Sequence, residues 1–248
     1  MDRCSMIISK KMKVPPKKSR GILTDINYFF LNKPKVPTLI KFANEEEKKA
    51  YSHRIIQRIG IDVLKYSVQN IHRIGIRTPV RYVFEELIQW DGNSSCWPNH
   101  IATVERLNGE LEHIKIHLLN RRKYPFGFKK SFLGFKYIPL FYLNALKFQY
   151  LPGPSDDNAR YLLYSSSGGY PIGIYAMYAR SSIAIQEEIE QTQLFFAVGF
   201  NFYGRESGKR ITIINKIWEK VHNRVTANVM NRFKQLCEWR FERIQNGQ

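Results

Sequence analysis

The sequence predicts an α+β fold, in which an antiparallel sheet is covered by a long C-terminal helix folded back across it. Three observations carry the prediction. First, Lys209–Gln245 reads as one amphipathic helix. Ile214, Ile217, Trp218, Val221, Val225, Val229, Phe233, Leu236, Cys237 and Ile244 follow one another mostly at steps of three or four residues. A helix of about 35 residues is roughly 50 Å long, and packing of its stripe, rather than propensity alone, must stabilise it. Second, the run Gln191–Tyr203 directly before it is the most strand-like in the chain. Third, short alternating segments with turn residues between them fill most of residues 100–190.

Composition sets the outer bounds. The chain has 248 residues, enough for one large domain or two small ones, and 44% of them are hydrophobic. Its net charge of +18 attracts polyanions such as nucleic acid, anionic lipid or acidic protein, without selecting among them. An ordinary basic surface satisfies the same number. Cys4, Cys96 and Cys237 are odd in number and far apart, which argues for a reducing compartment and against a disulfide framework. With no signal-like leader and no run of 18 apolar residues, the expected location is the cytoplasm, with contact to a membrane only from outside.

In chain order, residues 1–24 form a basic arm around Pro15-Pro16, read as a solvated tail or a polyanion-binding arm. Residues 26–42, with Tyr28-Phe29-Phe30-Leu31 and two prolines, are expected to cross the body as an irregular strap. A helix follows, with Asn44 as N-cap, Glu47 completing a capping box and Gly60 as its stop. Ile61–Ile76 reads as strand. Thr78-Pro79 opens a second helix, with Pro79 at the first helical position, and Val80, Val83, Phe84, Leu87 and Ile88 on its buried face.

His100–Leu107 and Leu111–Leu119 flank Asn108-Gly109, the strongest two-residue hairpin signal available. Residues 120–144 interleave Arg121, Arg122, Lys123, Lys129, Lys130 and Lys136 with eight aromatics, and no acid occurs between Glu112 and Asp156. This segment is read either as a connection whose aromatics fill core or as a surface for a membrane or polyanion. Further strands are expected at Leu146–Leu151, Ala159–Ser166, Ile172–Ala179, Ser182–Glu188 and Gln191–Tyr203. In the last, Leu194, Phe196, Val198, Phe200 and Phe202 share one face, while Ala197 and Gly199 leave room on the other.

The chemistry searched for is mostly missing. No phosphate-binding glycine loop, zinc-protease pair or nucleophile elbow occurs. His113 and His117 share a strand side but lie about 13 Å apart by rise, too far for one metal. No metal and no cofactor is expected. The candidates for acid–base work are His100, beside Trp97-Pro98, and His222 with Arg224 on the long helix.

The order of elements, the Thr78-Pro79-Val80-Arg81-Tyr82-Val83-Phe84 opening of a helix and the Trp97-Pro98 before a hairpin resemble the START-like, or SRPBCC, superfamily of polyketide cyclases and lipid-transfer domains. The resemblance covers about residues 62–242. It implies a helix-grip fold over residues 61–248, in which a curved antiparallel sheet wraps around the C-terminal helix and encloses a cavity, with residues 1–60 as a basic N-terminal extension carrying one helix. Such an apolar cavity suits a lipid-like molecule. Phe84, Trp90, Trp97, Phe196, Phe200, Trp218, Val221 and Val225 are the expected wall, each with ordinary core as its plainer reading. The function this implies is binding or carriage of a hydrophobic small molecule, with the basic aromatic segment meeting an anionic membrane surface. The alternatives are a cyclase, dehydratase or hydrolase using the same cavity, in which inward polar residues would be the mark, and a basic nucleic-acid-binding protein.

Overall fold

A computed structural model describes residues 31–56, 68–88, 101–106, 113–118, 142–147, 159–167, 174–183, 190–200 and 212–247. They form α1 (Glu45–Ile56), β1 (Val68–Ile76), α2 (Val80–Ile88), β2 (Ile101–Arg106), β3 (His113–Leu118), β4 (Tyr142–Lys147), β5 (Ala159–Ser167), β6 (Ile174–Ile183), β7 (Glu190–Phe200) and α3 (Thr212–Gln245). The seven strands make one curved antiparallel sheet in the order β1-β7-β6-β5-β4-β3-β2. Strands β2 to β7 therefore run as a meander, and β1 returns to pair with the last of them.

Residues on one side of the sheet follow from the register, because directly opposed residues in an antiparallel ladder point the same way. His72 lies opposite Phe196, and Phe196 opposite Met177; Ile74 lies opposite Leu194, and Leu194 opposite Ala179. His72 bonds to α3, so this is the helix-facing side. Here Ile74, Ile76, Leu194, Ala179 and Met177 are buried with Val80 and Val83 of α2 and Met230, Phe233, Leu236 and Cys237 of α3. The predicted large-residue face of the final strand is thus the one that meets the helix. Ile71, Phe195, Ala197 and Ala176 on the opposite side are buried too, which explains why β7 is apolar on both faces.

Helix α3 lies chiefly against β1, and α2 lies over β5, β6 and β7 and touches α3. The stripe drawn from sequence mixes two flanks of α3. Ile217 is 59% exposed and Ile213 74% exposed. They occupy the same flank as Asn228, about 16 Å before it along the helix at about 1.5 Å per residue.

That strap is the stretch from Asn32 to Ile40. Asn228 and Asn32 exchange hydrogen bonds of 3.0 and 3.3 Å. Asn231 accepts from the Val36 amide and donates to the Val36 carbonyl, both at 2.9 Å. The strap then pairs with the outer edge of β1: Ile40 N donates to Ile71 O and Arg73 N donates to Thr38 O. An edge strand that would otherwise present unpaired backbone groups is covered.

The caps follow the sequence in one helix and depart from it in another. At α1, Glu47 N donates to Asn44 Oδ1 at 2.7 Å, and Glu47 Oε2 reaches back to the Ala43 amide. At α2, Pro79 O accepts from Tyr82 and Val83 as expected of a first helical residue. Thr78 does not cap with its hydroxyl, which is buried without a partner. A tight turn, Thr78 N to Ile76 O, and a 2.6 Å bond from Thr192 Oγ1 to Thr78 O fix the residue in another orientation.

Three strand expectations also shift. The β2–β3 hairpin exists, but Arg106 pairs with Ile114, whereas a two-residue Asn108-Gly109 turn would pair Leu107 with Glu110. The observed register sets Val104 against Ile116 and Glu105 against Lys115, and Asn108-Gly109 itself lies outside the described residues. Strand β4 starts at Tyr142, inside the segment read as irregular. The two strands expected at Ile172–Ala179 and Ser182–Glu188 are, as far as Ile183, one strand. It continues because Arg180 and Ser181 still find partners in Gln193 and Thr192.

Candidate functional site

The helix-facing side of β1 and β7, with the first half of α3 above it, holds the candidate site. Asn223 faces β1: its Oδ1 accepts from His72 Nε2 at 3.1 Å. Two residues turn a helix by about 200°, so Val221 and Val225 project from the flank turned away from β1. Val225 is buried and Val221 half-buried. On the sheet, Phe196 is half-buried although Leu194, Val198 and Met177 around it are buried. The ring is therefore less covered than its neighbours in the same ladder.

His72 was not singled out by sequence, yet it is fully enclosed and joins three segments. With Nε2 donating to Asn223, Nδ1 is the acceptor and takes the Thr38 hydroxyl at 2.9 Å. Both ring nitrogens are thus engaged by protein. Burial lowers its pKa to about 4, against the opposing effect of the Asn223 bond. His222 is buried as well, with Thr226 Oγ1 3.4 Å from its Nδ1. Burial, and then the proximity of His72, lower His222 to about 3. Both imidazoles are neutral at pH 7. They can offer or receive hydrogen bonds there, but they are poorly matched to acid–base catalysis near neutrality. A polar residue on an apolar strand face was the available signal for His72; it was hidden because Asn70, Ile71 and His72 in succession break simple alternation.

Lower on α3 the polar contacts are architectural. Lys234 Nζ donates to Gly75 O at 2.6 Å and to Glu238 Oε1 at 2.7 Å, and the same Glu238 oxygen accepts from the Arg77 amide. Arg240 pairs with Glu86 of α2, and Phe241 packs on Tyr82.

Of the residues expected on a cavity wall, Phe196, Val221 and Val225 are placed as above. Phe84, Phe200 and Trp218 lie on the backbones of α2, β7 and α3, with side chains outside the described residues; Trp90 and Trp97 lie outside them altogether. Of the catalytic candidates, His222 is buried, Arg224 is half-buried and His100 is outside the described residues. Arg121, Arg122, Lys123, Lys129, Lys130 and Lys136 are outside them too. Among the described residues, no group of three or more His, Cys, Asp or Glu is placed to hold a metal, and no helix is long and apolar enough to cross a membrane.

No known family and no curated protein matches the sequence. Among solved structures, the chain is similar to the Zhui aromatase/cyclase from Streptomyces sp. R1128, at 16% identity over 71% of this chain and 95% of that one, with a TM-score of 0.45. It is also similar to the protein XoxI from Bacillus cereus, at 11% identity over 72% and 98%, with a TM-score of 0.42. The di-domain aromatase/cyclase StfQ of the steffimycin biosynthetic pathway matches at 10% identity over 82% of this chain and 57% of that one, with a TM-score of 0.44. Likeness at this depth adds nothing to the fold described above.

Proposed function

We propose that the protein binds a hydrophobic, lipid-like small molecule between the helix-facing side of the sheet and α3. The observation that supports this most is the incomplete cover of Phe196, a large ring left half-buried among buried neighbours on the side facing the helix. Apolar surface of that kind is stabilised by an apolar ligand to the extent that water leaves it, about 25 cal/mol per Å². Phe84, Phe200, Trp218, Trp90 and Trp97 are assigned to the same wall by sequence.

Carriage is favoured over catalysis by the polar residues themselves. His72 has no ring nitrogen to spare, and both buried imidazoles are neutral and weakly basic. The cluster clamps strap, strand and helix together instead of addressing a substrate. The basic segment 121–136 is assigned to an anionic membrane surface from which the ligand would be drawn; loss of vesicle flotation on charge reversal at Lys129 and Lys130 would support that assignment.

The deciding experiment is mass spectrometry of an organic extract of protein purified under native conditions. A bound apolar species is expected, and Val221→Trp should abolish it by filling the space beside the helix. An empty extract, together with no binding of added fluorescent fatty acyl probe, would overturn the reading.

A further inference from the structure

The first half of α3 turns to solvent a face that is both apolar and basic. Ile213, Ile217 and Leu31, the last 67% exposed, are the most exposed large apolar side chains among the described residues. Lys216 and Lys220 are exposed beside the two isoleucines, and Arg224 is half-buried. At about 100° per residue, these five helix positions fall within about 100° of arc. Glu219 is the only acid between Glu206 and Glu238. It lies about 160° round from Ile217, outside that arc. Among the described residues, neither Lys216 nor Lys220 forms an ion pair. Leu31 belongs to the same side. Followed back from Val36 on Asn231 to Asn32 on Asn228, the strap advances toward the first turns of α3, and Leu31 comes next.

A helix that only covered a sheet would carry polar residues on its outer face. Single exposed aliphatics are ordinary, but several together beside a row of cations mark a contact surface. Charge selects what the surface meets. A second copy of the chain would set these lysines against themselves, and a net charge of +18 opposes that approach. The basic arm 1–24 is repelled in the same way. A bilayer holding anionic lipid answers both halves of the face, with headgroups for the cations and the acyl boundary for the aliphatic side chains. Nucleic acid answers only the first half, because isoleucine offers no ring for a base to stack on.

We propose that the first half of α3, together with Leu31, docks on an anionic lipid bilayer. Ile213 and Ile217 enter the boundary between headgroups and acyl chains, and Lys216, Lys220 and Arg224 lie among the phosphates. This extends the membrane contact proposed above to a second surface, and it stands whether or not a ligand is carried.

The test uses the full chain in a Cys4→Ser/Cys96→Ser background, where Cys237 is buried. An environment-sensitive nitrobenzoxadiazole label is placed on Ile217→Cys and titrated with vesicles of phosphatidylcholine and phosphatidylserine in equal parts. A saturable blue shift is expected, with none on phosphatidylcholine alone. The same label on Glu242→Cys, exposed about 37 Å further along the helix, should not respond. Lys216→Glu/Lys220→Glu should weaken the response about tenfold or more, while Lys129→Glu/Lys130→Glu should still reach the full shift at saturation. An empty organic extract beside an intact response at Ile217 would fail the ligand reading alone. No shift at Ile217, an equal shift on neutral vesicles or at Glu242, or a shift produced by a single-stranded oligonucleotide in place of vesicles would overturn the proposal. So would a label already blue without vesicles, since the protein itself or a second copy would then cover the face.

Discussion

His72 in β1 and Asn223 in α3 are joined by a 3.1 Å hydrogen bond, and Thr38 of the strap closes the other nitrogen of the same ring. One neutral imidazole therefore holds the helix, the sheet edge and the strap in a common register. Truncating Asn223 leaves an enclosed N–H with nothing to receive it. Asn223→Ala is expected to lower stability by about 1–3 kcal/mol, read as a shift in the urea midpoint at an unchanged slope. An unmoved midpoint would show that the ring finds another acceptor.

The two buried histidines set a pH dependence whose sign can be worked out. An unfolded chain protonates them near 6.5, while in the fold His72 resists until about 4 and His222 until about 3. The native state then holds fewer protons across that interval, so acid favours unfolding. Their contribution is absent above about pH 6.5. Below it, stability should fall by up to about 1.4 kcal/mol per pH unit for each ring, levelling once the folded pKa values are passed. Urea midpoints from pH 7.5 to 4.5 measure this, and His222→Gln should make the decline shallower over that range.

Asn231 holds Val36 at both its amide and its carbonyl. Loss of that clamp should free the strap before the rest of the molecule. Asn231→Ala is expected to cost about 1–3 kcal/mol and to speed tryptic cleavage between Lys35 and Val36 severalfold under native conditions. Equal cleavage rates in variant and parent would show that the strap is held elsewhere.

Cys237 is buried, and its thiol is pushed well above the usual range, mainly by burial and then by the nearby Glu86. In a Cys4→Ser/Cys96→Ser background, its reaction with a thiol reagent should track global unfolding. Prompt stoichiometric labelling of native protein would contradict the packing of α3 on the sheet.

Much of the architecture was readable in the sequence, and the failures have physical causes. The cap of α1 was legible because Asn44 and Glu47 act within a single turn. The extent of α3 was legible because no Pro or Gly interrupts it. The pairing of β2 with β3 was legible because each strand alternates within itself, while Asn108-Gly109 lies outside the described residues. Nothing local announces that Thr38–Ile40 will lie against β1, since that pairing joins residues more than thirty apart. The candidate site was less legible. Phe196, Val221 and Val225 could be named from alternation and helical period, but His72 and Asn223 become partners only when β1 and α3 meet across 151 residues.

The ladder between β1 and β7 joins Val68 to Phe200, so the first strand made waits for the last. At ribosomal speeds of about 5–20 residues per second, that wait lasts on the order of 10 s. During it Ile71, Ile74 and Ile76 are an orphaned sticky ribbon emerging from the exit tunnel. The strap is already synthesised by then, and its pairing with the opposite edge gives the nascent strand a chaperone encoded in its own chain.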